Sequence, residues 1–173
     1  TQVGGSTRLS GGHFYSAGTS VQSQAGVVGD TADAMFEHYM TLNQWLVDPA
    51  VVLRYCDLSA PTFEWLKQLG VSFPPAGVYV SGVGSTPRGH QPEGSGEAVV
   101  QVLDGHRSHK GVDLVLNARV TELLQDADGR VTGVRIGEDQ ATCAAVILAT
   151  GGFGANPQMI ERFYPSAAAS GDW

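Results

Sequence analysis

Apolar positions recur at helical spacing over the middle of the chain and at period two over its last third. From Asp30 onward, Ala32, Met35, Phe36, Tyr39, Met40 and Leu46 follow helical spacing, with Asp30 placed to cap the first turn. Asp48-Pro49 starts another helix, Asp as the cap and Pro in the first turn, where its missing N–H is not needed. Ser59-Ala60-Pro61 interrupts this helix or begins a new one, whose apolar stripe of Phe63, Leu66 and Leu69 ends at Gly70. A further helix is expected from Glu97 to Lys110, carrying Val99, Val102 and Leu103. The first 29 residues, rich in Gly, Ser and Thr, read as a loop around a short helix opening. Residues 71–97, with Pro74-Pro75, Gly82, Gly84, Gly94 and Gly96, read as a long loop of the kind that carries function.

The period-two part begins with Val112–Asn117 and Val120–Leu124, turns at Asp126-Ala127-Asp128-Gly129, and continues through Val131–Ile136. Residues 120–136 are therefore expected to form an antiparallel hairpin. The uncharged run Ala144–Thr150 reads as a buried strand in the middle of a parallel sheet, which makes the fold class α/β. It stops at Thr150-Gly151-Gly152. Ligands of open α/β sheets collect at the carboxyl ends of such strands, where glycine lets the backbone come close. A second glycine cluster, Gly4-Gly5-Ser6-Thr7-Arg8-Leu9-Ser10-Gly11-Gly12, stands at the other end of the chain. Together the two clusters point to a large nucleotide cofactor, a flavin.

Composition narrows the classes. A chain of 173 residues fits one domain with a sizeable core, and 42% hydrophobic with 16% charged residues is a globular balance. The 23 glycines are roughly twice the ~7% average, without a collagen period. A formal net charge of −7 argues against nucleic acid or an anionic membrane surface as partner. Cys56 and Cys143 stand far apart and indicate neither a metal site nor a disulfide framework. No run approaches the ~18 apolar residues of a membrane span, and no signal peptide opens the chain, so a cytoplasmic location is expected. The first residue is Thr1 rather than Met, from which an upstream part is expected.

The candidate chemistry is sparse. The 4–12 cluster offers backbone N–H groups and hydroxyls in a helix-opening context, suited to a pyrophosphate and a flat ring; otherwise it is a flexible terminus. Arg88-Gly89-His90 sets a fixed cation beside a titratable imidazole. These two are the catalytic candidates, facing a carboxylate or carbonyl substrate or a reduced ring; otherwise they belong to a solvated loop. His106 and His109 lie three apart on one helix face but lack residues to complete a metal shell, and read as surface histidines. There is no Ser-His-Asp set, P-loop or paired catalytic carboxylate.

The order of motifs resembles a known family. Gly4-Gly5-Ser6-Thr7 with Ser10-Gly11-Gly12 comes first, then Asp48-Pro49, Trp65-Leu66 with Leu69-Gly70-Val71, and Arg88, His90, Pro92 and Gly94. Gly111-Val112-Asp113, Arg119–Leu123, Gly129–Val134 and Ala149–Phe153 with Asn156 follow. The series is similar to the flavoproteins comprising soluble fumarate reductases, succinate dehydrogenase flavoprotein subunits and 3-ketosteroid dehydrogenases. Tyr15, Gly18-Thr19 and Arg88-Gly89-His90 look closest to the ketosteroid-dehydrogenase-like branch.

The resemblance implies an incomplete FAD-binding, Rossmann-like domain of the glutathione-reductase type, with an antiparallel β-hairpin and a helical segment. It implies that Gly5, Ser6, Thr7, Arg8, Leu9, Ser10, Gly11 and Gly12 lie along the pyrophosphate and isoalloxazine of FAD. The backbone at Val120 would meet the adenine, and Ala149, Thr150, Gly151 and Gly152 would lie near the adenosine. Ser6 stands where members with covalent flavin have His, so FAD is implied to be non-covalent. The family's opening βαβ unit with its GxGxxG turn is expected upstream of Thr1, and its substrate-clamping His and Arg residues beyond Trp173. On this reading the chain is the middle of an oxidoreductase acting on a carbon–carbon bond beside a carbonyl, with a small-molecule, 3-ketosteroid- or fumarate-like substrate. Residues 1–173 alone are then expected to be inactive, and a sheet edge left open could pair two copies. The alternative is a non-catalytic module that binds a nucleotide or a partner chain.

Overall fold

The computed structural model describes residues 2–170, which fall into two compact units, Thr1–Leu116 and Asn117–Trp173.

In the first unit, α1 (Gly5–Leu9), β1 (Phe14–Tyr15) and α2 (Ser20–Gln24) precede the long helices α3 (Ala32–Leu42) and α4 (Pro49–Gln68). A 3₁₀ turn at Pro75–Gly77 then leads into β2 (Val78–Tyr79), β3 (Gly89–His90) and α5 (Ser95–His109). The expected loop over 71–97 thus contains two short strands. They matter because β3 lies between β1 and β2, antiparallel to both, with His90 opposite Phe14 and Val78. Gly89 has to be glycine there, since a Cβ would come within 2.5 Å of the Tyr79 ring.

Local chemistry explains the helix ends. Asp48 Oδ1 accepts from the Ala50 N–H at 2.9 Å and Pro49 follows it, as expected. The cap of α3 is Thr31 rather than Asp30: its hydroxyl accepts from the Ala34 N–H at 3.1 Å. Asp30 is instead drawn into an ion pair with Arg88, a partner 58 residues away. Pro61 neither breaks nor restarts α4, which runs through it. The buried residues Cys56, Ser59, Phe63 and Leu66 recur every three or four positions and carry one packed face across the proline. That packing outweighs the hydrogen bond proline removes.

Phe63 is the centre of the main core, with Val21, Leu66, Val71, Phe73 and Val99 around it. Its ring lies 4.6 Å from that of Phe73 and 4.4 Å from the imidazole of His90. A second cluster of Ala17, Met35 and Cys56 joins α3 to α4.

In the second unit, β4 (Val120–Gln125), β5 (Val131–Ile136) and β6 (Asp139–Thr142) form an antiparallel meander, followed by α6 (Pro157–Phe163) and α7 (Pro165–Ser170). The hairpin expected over 120–136 is present. Asp126 organises its turn by accepting at Oδ1 from the N–H groups of Asp128 and Arg130, both at 3.0 Å.

Two expected strands are not strands. Val112–Asn117 follows a Schellman turn, in which Gly111 has φ +69° and the Val112 N–H donates to Arg107 O, and it joins no ladder. Residues 144–150, expected in the middle of a parallel sheet, join no ladder either, and Ile147 is 91% exposed. An apolar run becomes a central parallel strand only with a neighbour on each side, and none of the strands among the described residues supplies one. The sheets of the described residues are small and antiparallel.

Phe63→Ala is expected to cost about 3–5 kcal/mol of stability, as a large aromatic removed from a closed core. Chemical denaturation of the two chains side by side measures it.

Candidate functional site

Three groups of residues carry the chemistry. The first is the glycine cluster at the start. Gly4 and Gly5 adopt positive φ and open α1, whose residues are all outside the core. The loop after α1 is fastened to the start of α5: the Gly96 N–H donates to Ser10 O at 3.0 Å. Ser10 Oγ donates to Thr7 O at 2.8 Å and accepts from the Gly12 N–H at 3.1 Å. Gly12 and Gly96 meet backbone to backbone, for a Cβ on Gly12 would stand 2.6 Å from the Gly96 nitrogen. A Cβ on Gly96 would overlap the Thr7 carbonyl oxygen. Arg8 reaches Glu97 at 4.0 Å across the same junction. One side of the loop is thus pinned, while Gly5, Ser6, Thr7, Leu9, Ser10 and Gly11 are exposed. Nothing lies within 4 Å of where a Gly5 Cβ would be.

The second group surrounds Arg88 and His90. Arg88 donates to Asp30 from Nε at 2.9 and 3.1 Å and from Nη2 at 2.6 Å. Gln22 Nε2 donates to Asp30 Oδ2 at 2.9 Å and to Pro87 O at 2.7 Å, while Gln22 Oε1 accepts from the Thr19 N–H at 3.1 Å. The Thr19 hydroxyl and His90 Nε2 are 2.8 Å apart, and His90 Nδ1 faces the carbonyls of Arg88 and Phe14 at 2.9 and 3.2 Å. Carbonyls only accept, so the proton sits on Nδ1 and Nε2 accepts from the threonine. Burial tends to raise the Asp30 carboxyl, but hydrogen bonds from Arg88 and Gln22 outweigh it and hold the group below the usual carboxylate range. Burial pushes the His90 imidazole below its ordinary value, against the pull of the two carbonyls, and keeps it neutral.

The structure therefore separates the two catalytic candidates from the solvated loop setting. His90 is buried with both nitrogens occupied, whereas Arg88, mostly buried, lines a cavity together with Tyr15 and Tyr39. A phenol chain adjoins them: Tyr15 OH and Tyr79 OH are 2.9 Å apart, and Tyr79 OH also bonds Nδ1 of the exposed His13. Burial and the bond to Tyr15 push the Tyr79 phenol up to about 12, so it stays protonated at neutral pH. His106 lies apart, donating from Nε2 to Leu69 O at 2.8 Å.

The third group belongs to the second unit. Thr150, Gly151 and Gly152 line a cleft of about 750 Å³ with Arg119, Phe153 and Asn156. Gly151 has φ +78°, and no atom lies within 4 Å of a Cβ at Gly151 or Gly152. Asn156 caps α6 by accepting from the Met159 N–H at 3.1 Å. Val120, next to Arg119, sits on β4 opposite Ile136. Ala149, just before the cleft, is exposed. Arg119 opens the Arg119–Leu123 motif, but the sequence alone assigns it no cofactor role.

The sequence model of the FAD-binding domain matches residues 1–171. The chain belongs to the FAD-binding domain family. It is 33% identical over 172 residues to a fumarate reductase (cytochrome) of Shewanella frigidimarina, covering 95% of this chain and 30% of that protein. Against a urocanate reductase of Eggerthella lenta it is 33% identical, over 94% of this chain and 28% of that one. Among solved structures, it resembles an open flavocytochrome c3 fumarate reductase with TM-score 0.79 and 28% identity, over 90% of this chain and 28% of the other. It resembles a 3-ketosteroid-Δ4-(5α)-dehydrogenase of Rhodococcus jostii RHA1 with TM-score 0.82 and 26% identity, over 95% and 42%. The chain thus spans about 30% of the length of such curated relatives.

The residues present fit a flavin dinucleotide. In the first unit the pinned 4–12 loop offers exposed hydroxyls and a glycine backbone with open space above Gly5; taken by itself, the second unit has two bare glycines and the cation of Arg119 in its Thr150–Gly152 cleft.

Two outcomes follow. Gly96→Ala should displace the 4–12 loop, seen as faster amide exchange over residues 5–12 with α4 unchanged. For His90, a neutral imidazole in the folded state adds stability above the unfolded value of 6.5 and loses it as the pH falls, because the unfolded chain takes up the proton first. Melting temperature should therefore drop on acidification through about 6.5 in the native chain, and by less in His90→Gln.

Proposed function

We propose that the chain is the cofactor-holding segment of an FAD-dependent oxidoreductase acting on a carbon–carbon bond beside an electron-withdrawing carbonyl, with a 3-ketosteroid- or fumarate-like substrate. The observation that carries this is the loop of residues 4–12, fixed along one side by the Gly12–Gly96 backbone contact and open along the other at Gly5, Ser6 and Thr7. A dinucleotide needs that combination of a rigid base and a bare, hydrogen-bonding face. The names of the relatives support the reaction class, since reductases of fumarate and urocanate and a 3-ketosteroid dehydrogenase are among them.

FAD, when bound, supplies hydride exchange with the substrate carbon. The protein's share is binding and orientation. Ser6 and Thr7 offer hydroxyls, and Gly5 keeps a side chain away from the exposed face. The Thr150–Gly152 turn and the backbone at Val120 serve the adenosine end, where Arg119 offsets phosphate charge. Ser6 has no ring nitrogen with which to join a flavin methyl group, so the attachment is non-covalent. Arg88 is held rigid by Asp30, and His90 positions Arg88 by fixing its backbone carbonyl.

The test uses the whole protein that carries this segment. It should purify yellow, release all its flavin to the supernatant on acid precipitation, and turn over either fumarate with reduced dye or a 3-ketosteroid with an electron acceptor. Thr7→Ala should weaken FAD by about 0.5–1.5 kcal/mol, the worth of one hydrogen bond, measured by flavin fluorescence. Flavin that stays with the precipitated chain overturns the non-covalent attachment, and a colourless protein overturns the reading itself.

A further inference from the structure

We propose that the cavity between α3 and the Ser81–Gly89 segment is a binding site for a neutral, ring-bearing carbonyl compound. The cavity measures about 400 Å³, near the lower end of small-molecule sites and suited to one or two rings. Tyr15, Tyr39, Leu42 and Val83 give it apolar walls. At Gly82 and Gly84 the wall has no side chain at all, which leaves a flat approach for a ring.

The polar contact comes from Arg88. Its side chain is only 10% exposed, and Nε and Nη2 are spent on Asp30. Nη1 has no protein partner among the described residues. Every fully buried side-chain nitrogen and oxygen there has one, so Nη1 keeps accessible surface on a residue that lines this cavity. The result is a hydrogen-bond donor that cannot swing away, because two other nitrogens of the same planar group are held by a carboxylate.

Charge decides the class of ligand. The Asp30 carboxylate, 4% exposed, already neutralises the guanidinium. A carboxylate ligand would lose its full hydration on entry and gain an attraction to Arg88 that Asp30 largely cancels. A neutral carbonyl oxygen has far less hydration to lose and still takes the N–H. His38 also lines this wall, so the comparison is repeated in His38→Gln. None of the residues assigned to FAD lines this cavity, so the inference does not rest on the flavin reading.

Benzamide and benzoate share a ring and differ in charge, and serve as probes for the 173-residue chain. Benzamide should shift the Tyr15 and Tyr39 ring resonances saturably and bind at least about tenfold more tightly than benzoate. Leu42→Glu, which puts a carboxylate on the apolar wall, should weaken benzamide at least about fivefold. Leu46→Glu, at a position 84% exposed and away from the cavity, should leave it unchanged. Benzoate binding as tightly as benzamide, no saturable shift in the native chain, or equal losses in the two variants would each overturn the proposal.

Discussion

The ion pair between Asp30 and Arg88 sits at the head of α3 and the start of β3, and the first unit is arranged around it. Breaking a buried pair by removing one partner costs about 3–5 kcal/mol, far more than a surface pair is worth. Here the carboxylate also receives Gln22, Gln22 receives Thr19, Thr19 donates to His90, and His90 donates back to the Arg88 carbonyl. The hydrogen bonds close on themselves. Because α2, α3 and β3 each contribute, fixing any one of them fixes the others, and the Phe63 core is packed against the same imidazole.

This arrangement also explains which parts of the fold were legible in the amino-acid sequence. The long helices and the 120–136 hairpin announce themselves locally, through apolar spacing, an Asp-Pro start and an Asp-Ala-Asp-Gly turn. Asp30 was misplaced as a cap because a helix cap and an ion-pair partner look alike in sequence. What distinguishes them is Arg88, brought near only by folding. Pro61 was ambiguous for a similar reason, since continuity of α4 is decided by the face it buries. Residues 144–150 have the composition of a central strand, but composition cannot provide neighbours.

The candidate site was legible unevenly. Both glycine clusters could be read directly, since glycine is the residue that close backbone approach demands, and Gly12 against Gly96 is such an approach. Which side of the loop is pinned could not be read, because Gly96 belongs to a helix far along the chain. Arg88 and His90 could be noticed as neighbours but not told apart. The carbonyls around the imidazole and the Asp30 carboxylate on the guanidinium assign one to the core and leave the other a nitrogen to spare.

A closed circuit of side chains has a further consequence, for how such a sequence can change over time. A linear network has a last member that can be lost at modest cost, but a ring has none. Exchanging Gln22, Asp30 or His90 singly leaves two broken ends, whereas Thr19 and Arg88 each keep one link through the backbone. Positions scattered over some seventy residues are thereby bound to vary as a set or to stay as they are.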